Sequence, residues 1–442
     1  MFDIFRKSKQ ILGINKRNIK YIKVFNSKRA IKIADNKLLA KNILIKHSIP
    51  VADTYAVIKN RKELFSFNWQ ELPKSFVVKP NRGLEGKGVL ILYGRIKRKN
   101  EQEPPVWVKA DRNRVDVSAL QNHILDILDG DFSKGQIADV AIIEERLKLL
   151  RMFKPYSYRG VPDIRIIVFN SIPVMAELRL PTKESEGRSN LFLGGIGVGI
   201  DMATGTTTSA VWHGKLIKYL PGTKIPLSGI KIPEWKNLLE LAIDCQKVTK
   251  IGFLGVDIGI DREKGPIVLE LNARPGLSIQ VANLAPLGVR LEKVRDLKVK
   301  SVSQAIRLSQ DLFGGEIEEE LEEVSGRRVI GVREPIEIIG SKGEKYKTVA
   351  KIDTGAYRSS ICYSLAKKLG LNEIVKYKKV RSALGKEERP IIRLSFILDK
   401  KKVSTEAFLA DREEMKFDII IGRKDLKKFL VDPAKNVLLK HL

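Results

Sequence analysis

Apolar and polar residues are segregated most clearly around a short charged turn beyond the middle of the chain. The apolar runs Val256–Ile260 and Ile267–Leu271 flank the turn Asp261–Gly265. Two apolar runs joined by a turn that contains glycine predict a β-hairpin. The polar positions of its two strands are therefore the first candidates for a functional site.

Three oxygen-bearing side chains lie on this predicted hairpin. Glu270 and Asn272 stand two residues apart on the second strand, and Asp257 stands on the first. Residues two apart on a strand share a face of the sheet. Mg²⁺ takes such hard oxygen ligands together with substrate phosphates. The hairpin predicts a magnesium site, and the alternative is a surface hairpin whose polar residues face water.

An amphipathic helix is predicted near the start of the chain. Asp35 can cap it, apolar residues fill the range 38–45, and Pro50 disfavours helix at the residue before it. A strand, Val51–Ile58, is expected next. Lys37 lies in the first turn, where it is either a phosphate ligand or a solvated helix lysine.

A glycine-rich loop between two predicted strands, Phe76–Lys79 and Val89–Tyr93, forms a second candidate site. Glycine lets backbone N–H groups approach an anion, and flanking cations add attraction. The spacing is not that of a Walker loop. The pattern predicts a flexible hairpin over phosphates, with an ordinary glycine-containing hairpin as the alternative. The candidate residues are Lys79, Gly83, Gly86, Lys87 and Gly88.

Two carboxylates directly follow the apolar strand Val140–Ile143. Glu144 and Glu145 stand at its end. Carboxylates in that position can accept hydrogen bonds from an adenine amino group or from ribose hydroxyls, or they can be solvated.

Alternating polar residues mark a further predicted hairpin, Ile164–Phe169 and Pro173–Leu180, which is followed by a loop to Asn190. Arginine grips a carboxylate or a transferring phosphoryl group through two hydrogen bonds. The alternative is ordinary alternation on a half-exposed antiparallel sheet. The polar positions are Asp163, Arg165, Glu177 and Arg179.

Composition changes this interpretation little. The 442 residues are enough for two or three domains, and 43% of them are hydrophobic. Two distant cysteines argue against a disulfide framework or a thiolate metal site. The N-terminus lacks an apolar signal segment and no run reaches membrane-spanning length, so we expect a cytoplasmic protein without a membrane partner.

The net charge of +29 is compatible with nucleic acid as a partner. The charge is spread along the chain, however, and residues 331–442 carry 26 Lys+Arg against 15 Asp+Glu. No Arg-rich tract or basic helical stripe is present. The many Lys, Ile and Glu residues also suit a compositionally biased or thermophilic genome, which is the preferred explanation, with nucleic-acid binding as the alternative.

The last third of the chain has a different pattern. After a glycine pair and a glutamate-rich run, short apolar strands follow one another in about 112 residues, the size of a small all-β domain. We therefore divide the chain into a short N-terminal segment (1–34), a main domain (35–313), a linker (314–328) and a C-terminal domain (329–442).

Taken in order, the motifs of the main domain resemble the ATP-grasp fold, in which two α+β subdomains sandwich ATP. The string GRSNLFLGG at 187–195 resembles RimK-type glutamate ligases, and the range of about 30–290 resembles the sugar-transfer-associated branch. The resemblance implies ATP with Mg²⁺ (or Mn²⁺) as cofactors. It also implies a carboxylate and an amine, such as an amino acid or peptide, as substrates.

The same resemblance assigns roles to the candidate residues. It implies that Asp257, Glu270 and Asn272 hold the metal and that Arg165, Arg179 and Asn190 lie near the transferred phosphate or the acceptor. It further implies nucleotide contacts for the others. These are Lys37, Lys79, Gly83, Gly86, Lys87, Gly88, Glu144 and Glu145.

The C-terminal domain carries Asp353-Thr354-Gly355-Ala356 and, later, the string IIIGR at 419–423. This pair of motifs resembles the RimB-like retropepsin domains, small β-barrels also named ATP-dependent zinc proteases. An aspartic protease needs two carboxylates that share a proton. One chain supplies only Asp353, so a proteolytic role implies a homodimer through this domain. The alternative is an inactive binding module.

Together these features predict an α+β ATP-grasp domain followed by a small all-β retropepsin-like barrel. The expected activity is ligation of a carboxylate to an amine, with a second domain that binds or cleaves the peptide product. The alternatives are an ATP-grasp kinase and a non-enzymatic protein that binds nucleotide or nucleic acid.

Overall fold

The computed structural model describes residues 11–83, 86–97, 103–133, 135–315, 327–382, 385–413, 415–433 and 435. The chain forms two compact units, residues 1–316 and 317–442. Their boundary falls inside the predicted linker 314–328, of which residues 316–326 lie outside the described part.

The first unit is built around a long antiparallel sheet in the order β12-β11-β10-β9-β8-β13-β14. Two further sheets have the orders β1-β7-β2-β3 and β4-β5-β6. All of their strands precede β8 in the sequence. The strands are β1 (Thr54–Ile58), β2 (Phe76–Pro80), β3 (Leu90–Leu92), β4 (Gly94–Arg95), β5 (Trp107–Val108), β6 (Arg114–Val115), β7 (Ala141–Glu145), β8 (Asp163–Phe169), β9 (Ile172–Leu180), β10 (Ile196–Ile200), β11 (Thr207–Trp212), β12 (Lys215–Ile217), β13 (Phe253–Asp261) and β14 (Gly265–Asn272).

Helices pack against these sheets. Val117–Asp129 ends at Gly130, whose left-handed conformation (φ 92°) terminates the helix as glycine commonly does. The α-helices longer than four residues in this unit are Lys28–Ala34, Lys37–Lys46, Arg61–Phe65, Val117–Asp129, Trp235–Thr249, Ser278–Ala282, Leu287–Val294 and Val302–Phe313. No helix among the described residues is both long and apolar enough to cross a bilayer.

The start of the chain packs into the core of the first unit. It is helical, with a π-helical stretch at Arg17–Ile22. Tyr21 is buried and its ring meets Phe169 edge-on, with ring centroids 5.8 Å apart. The side chain of Asn26 donates to the carbonyls of Phe253 (2.9 Å) and Ala273 (2.8 Å). The N-terminal segment therefore contacts both strands of the central hairpin at its open end.

One capping prediction is wrong. The helix Lys37–Lys46 begins after Asn36, whose side chain accepts a hydrogen bond from the amide of Leu39, so Asn36 is the N-cap. Asp35 instead binds Arg274 at 2.6 Å. Sequence alone did not separate two adjacent residues that both make good caps.

Both predicted hairpins are present in the structure. β13 and β14 pair antiparallel with Asp257 opposite Glu270, and a bulge follows this pair. β8 and β9 turn at Asn170-Ser171, where both residues have positive φ. The helix Leu287–Val294 begins directly after Pro286 and ends before Arg295.

The second unit is a closed β-structure with one described helix, Tyr363–Lys368. Its main sheet has the order β16-β17-β22-β18-β21-β20-β19, and β16 also pairs with β20, which closes the barrel. The predicted order of an α+β domain followed by a β-barrel domain is confirmed. The strands are β15 (Arg328–Ile330), β16 (Arg333–Ile339), β17 (Lys345–Asp353), β18 (Ser360–Cys362), β19 (Ile374–Ser382), β20 (Gly385–Leu398), β21 (Lys401–Ala410), β22 (Ile419–Gly422) and β23 (Phe429–Val431).

Candidate active site

One face of the central sheet carries a row of charged side chains across three strands. Arg165 of β8 pairs in register with Asp257 of β13 on one side and with Glu177 of β9 on the other. Asp163 pairs with Arg179 one step along. Because directly opposite residues of paired strands share a face, the alternation seen in the sequence brings these groups together.

Asp257 is the most heavily bonded carboxylate of the row. Arg165 donates to it twice, from Nε and Nη2, each at 2.7 Å. Nη2 of Arg179 lies 2.7 Å from Asp257 Oδ2, and Nδ2 of Asn272 donates to the same oxygen at 3.2 Å. Burial alone would raise the pKa of Asp257, but the two guanidinium groups hold that pKa well below its usual range. Asp257 is therefore ionised at every physiological pH.

The pKa values of the other two acids of the row are shifted in the opposite direction. Burial raises the pKa of Asp163 to about 6, although Arg179 donates to it from Nε at 2.5 Å. Burial raises the pKa of Glu177 to about 7 against the pull of Arg165 and Arg179. Glu177 is 0% exposed, and neither of its oxygens has a hydrogen-bond partner within the described part of the chain.

Glu270 faces a lysine from the N-terminal side of the unit. Lys37 Nζ lies 2.9 Å from Glu270 Oε1 and donates to the carbonyl of Gly83 at 3.0 Å. The helix that begins at Lys37, the glycine loop and the central hairpin thus meet at one ammonium group. The structure brings together residues separated by more than 230 positions in the sequence.

A cleft adjoins this ammonium group. Glu144 is buried at its edge and binds two lysines, Lys41 at 2.9 Å and Lys79. Burial opposes the charge, but these lysines lower the pKa of Glu144 below its ordinary value. The cleft has apolar side chains and five charged ones in its lining. It is lined by Ala34, Lys37, Ala40, Lys41, Leu44, Val51, Ala52, Lys79, Ile142, Glu144, Val268, Leu269, Glu270 and Leu271.

The two carboxylates at the end of β7 have different partners. While Glu144 binds the two cleft lysines, Glu145 lies 2.5 Å from Lys264 in the hairpin turn. Lys264 also binds Asp53 at 2.7 Å. Glu145 therefore links the turn of the β13–β14 hairpin to the sheet β1-β7-β2-β3.

The glycine loop requires its glycines. Gly88 has φ +72°, and a Cβ there would come within 2.6 Å of the ring of Phe132. A Cβ at Gly86 would lie 3.9 Å from Cδ of Arg188, so the loop passes beside the segment that precedes Asn190. Lys87 is exposed on this loop.

Asn190 has a local structural role. Its side chain accepts from the amide of Phe192 at 2.8 Å and begins the short helix Leu191–Leu193. Phe192 is 77% exposed. Arg188 donates to Glu186 and to the carbonyl of Ser185 within the same loop. The predicted role of Asn190 near the acceptor stays a prediction.

In the second unit, Asp353 ends β17 opposite Gly422 of β22. Its Oδ1 accepts from the amides of Gly355 (3.0 Å) and Ala356 (3.1 Å), and its side chain is 30% exposed. The Asp-Thr-Gly-Ala turn thus holds one oxygen of the carboxylate and presents the group at the surface of the unit.

The oxygens of Asp257, Glu270 and Asn272 suit Mg²⁺, which prefers carboxylate and amide ligands. Protein cations now contact both carboxylates, which shows that these positions attract positive charge. Among the described residues, no group of three or more His, Cys, Asp or Glu side chains has the arrangement of a metal site. A site here would therefore depend on the amide of Asn272 and on phosphate oxygens.

Sequence reasoning missed two residues. Lys41 lies one helical turn after Lys37, so helical spacing could have indicated it. Glu177 was recorded as one polar position of a hairpin, but alternation does not reveal that a carboxyl group lacks a hydrogen-bond partner.

Two family models match the chain. One, described as sugar-transfer associated ATP-grasp, matches residues 16–296. The other, described as retropepsin-like aspartic endopeptidase RimB, matches residues 364–441 and begins after Asp353. No curated protein matches the chain.

Several solved structures are similar to parts of the chain. The D-alanine–D-alanine ligase from Bacillus anthracis complexed with ATP is 16% identical, with 68% of this chain and 76% of that one covered (TM-score 0.35). The ATP-grasp ligase PsnB complexed with a minimal precursor is 14% identical, with 61% and 62% covered (TM-score 0.32). The simian foamy virus protease is 19% identical, with 21% and 90% covered (TM-score 0.17).

Proposed function

The chain belongs to the sugar-transfer associated ATP-grasp family, and from that membership we propose that it is an ATP- and Mg²⁺-dependent ligase. The proposed reaction joins a carboxylate to an amine through an acyl phosphate. The observation that carries the proposal is the meeting of Lys37, the glycine loop and Glu270 beside the charged row of the central sheet.

The cleft supplies the nucleotide site in this proposal. The apolar part of its lining suits a purine base, and Lys37 and Lys79, which also line it, suit phosphates. The glycines at 83, 86 and 88 let the loop backbone approach those phosphates. Glu144 lines the cleft, orients Lys79 and is the carboxylate proposed to accept from adenine or ribose, whereas Glu145 binds Lys264.

The charged row supplies the reaction centre. Mg²⁺ held by Asp257, Glu270 and Asn272 would neutralise charge on the phosphates. Arg165 and Arg179, which bind Asp257 in the structure, are proposed to lie near the group being transferred, where their rigid guanidinium planes suit negative charge spread over several oxygens. Such preorganised donors need no reorganisation as the charge shifts.

The chemistry has two displacements. A substrate carboxylate oxygen attacks the γ-phosphorus of ATP, the bond to the β–γ bridging oxygen breaks, and ADP leaves. The amine nitrogen then attacks the acyl carbon, the carbon–oxygen bond to phosphate breaks, phosphate leaves and the amine loses a proton. Asn190, together with Arg165 and Arg179, is proposed to lie near the acceptor.

For the second unit, we propose binding or cleavage of the peptide product. The match to the RimB-like model and the turn that presents Asp353 support this role. A catalytic pair would need Asp353 from two chains, so cleavage requires a homodimer.

The decisive experiment is mass spectrometry of products after incubation with ATP, Mg²⁺, an amino-acid pool and cell extract. We expect a product heavier by one amino-acid residue than its acceptor, with ADP and phosphate formed only when acid and amine are both present. An Asp353→Asn protein assayed in parallel should accumulate product that the wild type trims.

A Glu270→Ala protein is the matched control for the ligase site. We expect turnover to fall at least about 100-fold, the order seen when one preorganised electrostatic contact is deleted. Wild-type ATP turnover in this variant would refute the assignment. A phosphorylated product that forms without any amine would instead identify a kinase.

A further inference from the structure

Glu177 is a buried carboxyl group for which the proposed chemistry has no use. It is 0% exposed, and both its oxygens lack hydrogen-bond partners in the described ranges. Buried carboxyl groups are normally paired, because desolvation without a partner is costly. The position of Glu177 therefore calls for a partner that is present in another state of the site.

The surroundings of Glu177 leave little room for substrate. Gly199 of β10 stands opposite it in register, and a Cβ at Gly197 would lie 3.3 Å from Glu177 Oε2. The same Cβ would come within 2.7 Å of Leu191 Cδ2. On its other side, the residue paired with Glu177 is Arg165. A partner for the carboxyl group is thus most readily supplied by the protein.

Arg165 has a reason to change partners. Asp257 accepts four contacts: Oδ2 takes three, one of them from Nη2 of Arg165, and Oδ1 takes one, from Nε of Arg165. Each carboxylate oxygen has two lone pairs, so a metal ion that binds Oδ2 displaces at least one of its donors, and a metal ion that binds Oδ1 brings a second positive charge beside Arg165. A displaced buried guanidinium needs another anion, because an uncompensated buried charge is strongly destabilising.

We propose that Glu177 is a positioning residue that receives the Arg165 guanidinium when a metal ion takes an oxygen of Asp257. This inference rests on the proposed function, since it assigns Asp257 to the metal. Glu177 lies directly across the strand pair from Arg165, so the side chain can exchange one anion for another without leaving the sheet face. The exchange keeps Arg165 paired and keeps its charge in the reaction centre.

The test is Mn²⁺ binding in the presence of ADP, measured on the full chain by the electron paramagnetic resonance signal of free Mn²⁺. In a Glu177→Gln protein the acceptor is neutral, and we expect Mn²⁺ to bind about tenfold more weakly, the loss of one charge-assisted hydrogen bond. ADP binding in EDTA should be unchanged. The melting temperature of the metal-free variant should equal or exceed that of the wild type, because an unpaired buried carboxyl group is removed.

Two controls separate this role from a general effect. Glu240→Gln removes a carboxylate from the exposed face of the helix Trp235–Thr249 and should leave Mn²⁺ affinity unchanged. In an Arg165→Lys background, the two guanidinium hydrogen bonds to Asp257 are already lost. Glu177→Gln should therefore have little further effect on Mn²⁺ affinity.

The outcomes are distinct. Wild-type Mn²⁺ affinity in Glu177→Gln overturns the exchange and leaves the ligase proposal standing. An equal loss in both backgrounds also overturns it, because the effect would then not pass through Arg165. If the wild type binds no Mn²⁺ with ADP, the proposed function fails and this inference fails with it.

Discussion

At the scale of single residues, the acidic side chains of the charged row are chemically alike, but their surroundings shift their pKa values in different directions. Asp257 is held ionised by two arginines, whereas burial raises the pKa of Glu177 to about 7. A carboxyl group whose pKa is raised on folding stabilises the folded state at low pH and loses that contribution as pH rises to its folded pKa. The two residues therefore give opposite pH dependences.

For Glu177, the relevant window lies between its ordinary pKa of 4.5 and about 7. Across it, the Glu177 contribution to the free energy of unfolding should fall by about 3 kcal/mol as pH rises. Glu177→Gln should remove that dependence, so the variant gains stability over the wild type towards neutral pH. Urea unfolding at several pH values measures the difference, and a gap that does not widen with pH would contradict the prediction.

At the same scale, the sequence predicted which residues could share a face but not which would pair. Alternation placed Arg165, Glu177 and Arg179 on polar positions. Whether Arg165 binds Asp257 or Glu177 depends on side-chain torsion angles and on how closely β10 packs against β9. Glycines at 197 and 199 were visible in the sequence, but the atoms that fill the space above them come from elsewhere in the chain.

At the scale of elements, Asn26 joins the N-terminal helices to the central hairpin. Its amide group donates to Phe253 and Ala273, and its oxygen accepts from the amide of Phe253 at 2.7 Å. Phe253 begins β13, and Ala273 follows the end of β14. One side chain therefore ties the two strands together at the open end of the hairpin that carries the candidate metal ligands.

We expect Asn26→Asp to destabilise the first unit by about 3 kcal/mol, because a carboxylate would face two carbonyl oxygens without a proton to donate. The measurement is the free energy of the unfolding transition that ADP and Mg²⁺ shift. Ser27→Ala, which removes only the cap of the helix Lys28–Ala34, should cost about 1 kcal/mol. Equal losses in the two variants would show that Asn26 acts as no more than a local cap.

At this scale, the packing of the N-terminal helices was not predictable from the sequence, whereas the hairpins were. The hairpins were predictable because their register follows from alternation and a short turn. Residues 14–34 were assigned to a separate segment because their pattern is short and mixed. Their burial comes from contacts such as Tyr21 with Phe169, which are formed only when distant strands are already in place.

At the scale of the whole molecule, each chain brings one Asp-Thr-Gly turn. If cleavage needs Asp353 from two chains, an Asp353→Asn protein should act as a dominant inhibitor. After subunit exchange, an equal amount of the variant should reduce the peptidase activity of a fixed amount of wild type to about half, since mixed dimers are inactive. A fluorogenic peptide library provides the assay. Undiminished activity would point to a site complete within one chain.

The pairing of the candidate metal ligands with protein cations has a practical consequence. Lys37 contacts Glu270, and Arg165 and Arg179 contact Asp257, so the acids stay balanced without any added ion. In zinc fingers, by contrast, binding of the metal supplies the folding free energy. Purification and storage of this protein in EDTA should leave its melting temperature unchanged, as differential scanning fluorimetry can verify, and activity should return when Mg²⁺ is restored.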